Sequence, residues 1–368
     1  MENSDPLVKT VSEDILKIRP YVPGKPVEEV KRELGISRVI KLASNENSLG
    51  PSPKAIQAIR NYASEVHFYP DGGCYYLKKD LASYIGVDPD NIILGNGSDE
   101  IVSIITRIFI REGDEAIMGD PSFLMYKIDT QLSHGKIVCV PLRQFKIDIP
   151  GMVKALSSRT RLIFISNPNN PTGTIVTKYE MQKLIEKIPP DVLVVCDEAY
   201  HEYVDDVDYP DTLFWVKEGK NIIVLRTFSK IYGLAGLRIG YGIARKEIIS
   251  ILNRARPPFN VNSLAQVAAR ASLKDREHLA KSRNLIEKGK RFLYSKLKEM
   301  GIPFVPTQAN FILIKTGERT RQIIHTLLKK GIILRDMEAY NLPHYIRLTI
   351  STQEENETFI REFQKALQ

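Results

Sequence analysis

Between residues 91 and 244 one pattern repeats: a short run rich in β-branched residues, then a stretch with helical apolar spacing. The runs are 91–94, 115–118, 136–140, 161–166, 191–197, 221–226 and 238–244, with helical periods near 98–110, 122–132, 151–158 and 177–188. Parallel strands need long crossovers, and helices supply them. The alternation therefore predicts an α/β fold whose large domain has a mostly parallel seven-stranded sheet flanked by helices. Ahead of it lie a short helical pattern at 14–18 and RPYVPGKP, whose three prolines and glycine impose an extended path. VEEVKREL then reads as one amphipathic helix.

After about residue 255 the pattern changes. RPPFNVN breaks the chain, and helices over 263–273 and 276–300 follow. Next come FILIK, a helix near 319–330, GIILRDM, YIRLTI and a last amphipathic helix, a grouping that predicts a smaller α+β domain. The expected division is residues 1–44 as an N-terminal arm and part of the small domain, 45–255 as the large domain, and 256–368 as the C-terminal small domain. The small domain thus draws on both chain ends.

The 368 residues are 43% hydrophobic and 26% charged, with ordinary numbers of glycine and proline, which excludes collagen-like, low-complexity and wholly disordered chains. Lys and Arg number 52 against 44 Asp and Glu. That surplus keeps anionic partners in play without demanding nucleic acid. Cys74, Cys139 and Cys196 are odd in number and lack CxxC spacing, so a reducing, cytoplasmic setting is expected rather than a disulfide scaffold. No HExxH or His/Cys cluster supports a metal site. MENSDPLVKT lacks the basic and apolar regions of a signal peptide. No apolar stretch reaches the roughly 18 residues that would span a bilayer.

Polar residues gather where the runs end. IILG leads into Asn96-Gly97-Ser98-Asp99-Glu100, LIFIS into Asn167-Pro168-Asn169-Asn170-Pro171-Thr172-Gly173, VLVVC into Asp197-Glu198-Ala199-Tyr200, and IIVLR into Thr227-Phe228-Ser229-Lys230. In open α/β sheets ligands bind outside the carboxyl ends of the strands. Gly97-Ser98-Asp99 can hold a phosphate on backbone N–H groups, or serve as a plain helix cap. Neither GxGxxG nor a Walker loop is present, so dinucleotides and ATP lose support. Asp197 is either a cap or the partner of a buried cation. Lys230 can be a Schiff-base nucleophile or a solvated lysine, and Arg238 a second phosphate-binding cation or an ordinary strand-edge arginine.

Asn170-Pro171-Thr172-Gly173, Asp197-x-x-Tyr200, Thr227-x-Ser229-Lys230 and Arg238 resemble the fold-type-I aminotransferases that use pyridoxal 5′-phosphate. The resemblance spans essentially the whole chain. KLASNENSLGPSP, RTFSKIYGLAGLRIGYG and RPPFNVNSLAQ are similar to the histidinol-phosphate aminotransferases within that family. The resemblance implies amino transfer between histidinol phosphate and 2-oxoglutarate by a ping-pong route in histidine biosynthesis, with an aromatic amino-acid aminotransferase as the alternative. It implies that Lys230 bonds the cofactor, that Asp197 pairs with its ring nitrogen and that Tyr200 and Asn170 meet its ring oxygen. Phe123 would stack on the ring, and Gly97, Ser98, Asp99, Thr227, Ser229 and Arg238 would hold the phosphate. Tyr69 would reach the phosphate of a neighbouring subunit, which implies a homodimer. Tyr21, Asn45, Arg335 and Arg347 are expected on the substrate side, facing small anionic amines and 2-oxo acids. No nucleic-acid or membrane partner is expected.

Overall fold

The computed structural model describes residues 6–22 and 24–368. The polar start, residues 1–5, and Pro23 of RPYVPGKP lie outside the described residues.

After a two-residue strand, β1 (Ile40–Lys41), the chain lays down β2 (Ile92–Gly95), β3 (Glu115–Asp120), β4 (Lys136–Pro141), β5 (Thr160–Ser166), β6 (Leu193–Asp197), β7 (Ile222–Thr227) and β8 (Gly240–Ala244). These last seven form one sheet in the order β2-β8-β7-β6-β5-β3-β4. Its neighbours pair in parallel, except that β8 runs antiparallel to both β2 and β7. Successive side chains point to opposite faces of a strand. Leu193 and Val195 therefore enter one apolar layer while Val194 and Cys196 enter the other. Helices Ser98–Phe109, Leu124–Leu132 and Lys246–Asn253 cover the first face, and Tyr75–Ile85 and Lys178–Ile185 help cover the second. Each buried Val, Ile or Leu contributes roughly 1.5–3 kcal/mol. Strands covered on both faces thus read as unbroken apolar runs. The edge strand β4 is largely exposed and ends on Pro141, whose missing N–H is harmless there.

The remaining strands are β9 (Phe304–Val305), β10 (Phe311–Lys315), β11 (Ile332–Ile333), β12 (Arg335–Asp336) and β13 (Tyr345–Thr349). An antiparallel sheet takes the order β12-β13-β10-β9, while β11 pairs in parallel with β1. Val30 and Ala43 pack on Ile333, so the segment ahead of the large sheet is tied to this smaller one. Helices Arg276–Glu299, Thr320–Lys329 and Gln353–Leu367 bury Leu293, Ile323 and Phe359 in one core with Phe311 of β10 and Leu348 of β13.

The α/β expectation holds, and three local differences have physical reasons. The helix expected over 151–158 is Ile149–Lys154, because Pro150 is tolerated in a first turn. The strand expected from residue 238 begins at Gly240, because Arg238 has a left-handed backbone (φ 55°). Helices Pro53–Tyr62, Tyr75–Ile85, Thr212–Lys217 and Lys246–Asn253 were not expected. The first buries only Ala55 fully and packs, like the second, on the distant Ser263–Leu273 helix, so local periodicity is a weak guide to them. Among the described residues no helix is long and apolar enough to cross a membrane.

Candidate active site

The carboxyl ends of β2, β5, β6 and β7 and the β12–β13 hairpin converge on a cleft of about 370 Å³. At one end, Ser98 and Asp99 open the Ser98–Phe109 helix. Gly97 caps it at φ 84°, and no side-chain cap among the described residues satisfies its first N–H groups. These groups carry the positive end of the helix dipole. A Cβ on Gly97 would stand 2.5 Å from Arg238 Nη2, and one on Gly240 would stand 2.4 Å from the Ser98 nitrogen. Two missing side chains thus let Arg238 and β8 close against the turn. Arg238 Nη1 donates to the Ala235 carbonyl at 3.1 Å, and Nη2 lies 3.6 Å from Asp99 Oδ2. That pair is too open to offset the crowding of protein around Asp99, whose pKa burial raises. Thr227 and Ser229 line the cleft, and the Ser229 N–H donates to Thr227 Oγ1 at 3.0 Å.

Asp197 ends β6 in the middle of the cleft. Tyr126 donates its hydroxyl to Oδ2 at 2.6 Å and the Ala199 N–H donates to Oδ1 at 3.1 Å. Among the described residues no cation forms an ion pair with it, and burial pushes its pKa up to about 6. Phe123 caps the Leu124–Leu132 helix, lines the cleft and meets Tyr126 edge-on at 5.5 Å. Asn45, held at φ 55°, donates from Nδ2 to the Tyr200 hydroxyl at 3.0 Å. Lys230 follows β7. Its Nζ donates to the Ser44 carbonyl at 3.3 Å and lies 5.5 Å over the Tyr200 ring. Burial, and then the Arg347 charge, pull its pKa down to about 8, against weaker support from Asp99, Glu46 and Tyr21.

Arg335 and Arg347 form the other end. They are register partners across β12 and β13, so their side chains share a face. They are only 7% and 5% exposed, and neither has an ion-pair partner among the described residues. Arg347 donates from Nη1 to Asn170 Oδ1 and from Nη2 to the Ala43 carbonyl, while its Nε is buried without a partner. Arg335 donates from Nη1 to the Val22 carbonyl at 2.8 Å and lies 5.4 Å over the Tyr21 ring. Like charges opposed across strands repel, and buried cations without an anion are costly. This end is built for an anion.

The cleft gathers Tyr21, Asn45, Ser98, Asp99, Phe123, Asn170, Asp197, Tyr200, Thr227, Ser229, Lys230, Arg238, Arg335 and Arg347. Gly97 stands behind its wall, making room for Arg238. Tyr69 is not on this wall: it is 83% exposed and stacks on Phe259 at 4.9 Å. Sequence reasoning missed Ser44, Glu46, Ser166 and Tyr340 on the wall and Tyr126 behind Asp197. Tyr126 follows Phe123 at helical spacing, a signal that could have found it. Ser166 closes the LIFIS run and Ser44 and Glu46 flank Asn45, signals that also could have found them, whereas Tyr340 is brought in by the long-range pairing of β12 with β13.

The family model for aminotransferases of class I and II matches residues 37–363. A histidinol-phosphate aminotransferase from Moorella thermoacetica is 51% identical over 96% of this chain and 92% of its own length. One from Caldicellulosiruptor saccharolyticus is 48% identical over 96% of this chain and 99% of its own. The crystal structure of histidinol-phosphate aminotransferase from Sinorhizobium meliloti in complex with pyridoxal-5′-phosphate superposes with a TM-score of 0.89 at 25% identity, covering 100% of this chain and 98% of that one. With sheet, cleft and sequence agreeing over nearly the full length, the chain belongs to the class I and II aminotransferases, in the family of the histidinol-phosphate aminotransferases.

Proposed function

We propose that the chain is a histidinol-phosphate aminotransferase of histidine biosynthesis, passing an amino group between histidinol phosphate and 2-oxoglutarate with pyridoxal 5′-phosphate as cofactor. The observation that carries this reading is the buried Arg335–Arg347 pair, without an ion-pair partner among the described residues, in one cleft with Lys230 and Asp197.

The unmet charges of the cleft fit that cofactor. Asp197 forms no ion pair among the described residues, and a protonated ring nitrogen would supply its cation. The uncapped helix start and Arg238 suit its phosphate. Gly97, Ser98, Asp99, Thr227, Ser229 and Arg238 would hold that phosphate, with Tyr69 reaching it from a second copy of the chain. Asp197 would meet the ring nitrogen, Phe123 the ring face, and Tyr200 and Asn170 the ring oxygen. When bound, the cofactor supplies a carbonyl carbon that bonds amines and a ring that takes up the electrons left when a C–H bond breaks.

The rest falls to the chain. With a pKa of about 8, Lys230 is unprotonated near neutral pH far more often than an ordinary lysine, so Nζ can take the substrate's carbon-bound proton and return it. The Asp197 carboxylate would keep a proton on the ring nitrogen. Asn45 orients the Tyr200 hydroxyl. The Arg347 fork suits the glutamate carboxylate, and Arg335 and Tyr21 complete a site for the phosphate of histidinol phosphate. One site serving both substrates requires them to alternate, which is ping-pong kinetics.

We also propose the division at residues 45 and 256, a homodimer and a cytoplasmic setting. Pairing of β1 with β11 supports the first, exposed Tyr69 and Phe259 the second, and three unbridged cysteines the third. Comparing turnover of histidinol phosphate and phenylalanine with 2-oxoglutarate tests the function. A kcat/KM for histidinol phosphate on the order of 100-fold higher is expected, since a site built around buried donors rejects a substrate that leaves them unpaired. Lys230→Ala should lose both turnover and the yellow colour of the protein. Preference for phenylalanine would replace this reading with an aromatic aminotransferase.

A further inference from the structure

We infer that Tyr340 is a specificity-determining residue of this site: its phenol donates a hydrogen bond to the phosphate of the substrate and so favours a phosphate-bearing amine over a carboxylate-bearing one. The inference rests on the histidinol-phosphate reading. Tyr340 ends the turn Glu338–Tyr340 in the loop that joins β12 to β13, so it stands between the two arginines in the chain and beside them in the cleft. Its ring is buried against Val305, Leu313 and Met337. The loop is pinned: the N–H groups of Tyr340 and Leu342 both donate to the Met337 carbonyl at 3.0 Å. Its hydroxyl has no protein partner among the described residues, although the residue is only 3% exposed. The groups acting on that hydroxyl are Arg347, Tyr21, Arg335 and Tyr200, and burial raises its pKa, so it stays a donor at neutral pH.

The chemistry of the two anions makes this donor selective. A carboxylate offers two oxygens, which one guanidinium fork satisfies. A phosphate monoester offers three terminal oxygens and needs a further donor. A third cation would add repulsion to a pair that already faces itself across two strands. A neutral phenol adds a hydrogen bond and no charge.

The test compares wild type with Tyr340→Phe, which keeps the ring packing, as holoenzymes with histidinol phosphate and with glutamate as amino donor. The ratio of kcat/KM for histidinol phosphate to that for glutamate should fall about 10- to 100-fold, the usual worth of a hydrogen bond to a charged group. Calorimetric binding of histidinol phosphate in a Lys230→Ala background, which cannot turn over, should weaken by a similar factor, at an unchanged melting temperature. An unchanged ratio, or equal losses for both donors, overturns the role of Tyr340 while leaving the enzyme's function standing. A wild type that does not use histidinol phosphate at all overturns the function itself.

Discussion

Asp197 is a carboxylate held in the interior by two hydrogen bonds and, among the described residues, by no ion pair. Its pKa is raised from the ordinary 3.8 to about 6, so the folded chain binds that proton more tightly than the unfolded one. The stabilisation is complete below about pH 3.8 and is lost as pH rises through about 6. The loss amounts to about 3 kcal/mol at about 1.4 kcal/mol per pH unit. Asp197→Asn should therefore stabilise the cofactor-free protein by up to about that amount above pH 6, with the gain shrinking toward pH 4, while turnover is lost. Denaturant melts of both proteins from pH 4 to 8 check this, and a gain independent of pH would count against it. Lys230 has the opposite sign: its lowered pKa removes stability as pH falls through about 8. At neutral pH both groups are strained by burial in a way that a ligand would relieve, a cost common at functional sites. Asp197 and Lys230 were legible as candidates because one ends an apolar strand and the other lies just past the end of the next. The strength of their perturbation was not, since it comes first from burial and then from groups such as Tyr126 and Arg347 that approach from other parts of the chain.

The turn from β2 into the Ser98–Phe109 helix works only because β8 lies against it. Gly240 has its α-carbon where a Cβ would meet the Ser98 nitrogen at 2.4 Å, a backbone atom that cannot swing aside. Gly240→Ala should displace the helix start and lower cofactor affinity by at least about tenfold, in line with the sensitivity of bound geometry to small misplacements. Titration of the cofactor by absorbance reads this directly, with circular dichroism showing the sheet retained. The strands were readable because burial on both faces demands continuous apolar runs, as in VLVVC and IIVLR. Helices such as Pro53–Tyr62 were not, because a narrow apolar face suffices when another helix supplies the cover. Arg238 shows the same limit. Its left-handed backbone, and hence its aim at Asp99, comes from the fit of β8 against the Gly97 turn.

At the scale of the molecule, one chain places Tyr69 outside its own cleft, exposed and stacked on the exposed Phe259. Exposed apolar patches of this kind mark association surfaces. If a second copy lends Tyr69 to each site, inactive Tyr69→Ala and Lys230→Ala proteins should restore each other. A mixed dimer holds one site with both residues intact, so unfolding and refolding an equimolar mixture should recover about a quarter of wild-type activity, given random pairing of two-fold subunits. No recovery, with mixed dimers present by mass, would mean that each site is complete within one chain. The excess of 8 positive charges also takes on meaning at this scale. Lys230, Arg238, Arg335 and Arg347 all face the cleft, so part of the surplus serves small anions.

The sequence by itself determined the elements that depend on local pattern, the alternating strands and helices, and marked Gly97-Ser98-Asp99, Asp197 and Lys230 as candidates at or just past strand ends, each with a plain structural alternative. These follow from periodicity and from the scarcity of polar groups beside buried apolar runs. Only the tertiary structure decided which distant groups share a space. Pairing of β12 with β13 sets Arg335 opposite Arg347, β1 on β11 brings Asn45 beside Tyr200, and the hairpin loop brings Tyr340 to the same cleft as the arginines. The physical reason is register. Strand pairing is settled by the packing of whole faces, and a shift of one residue would turn either arginine out of the cleft.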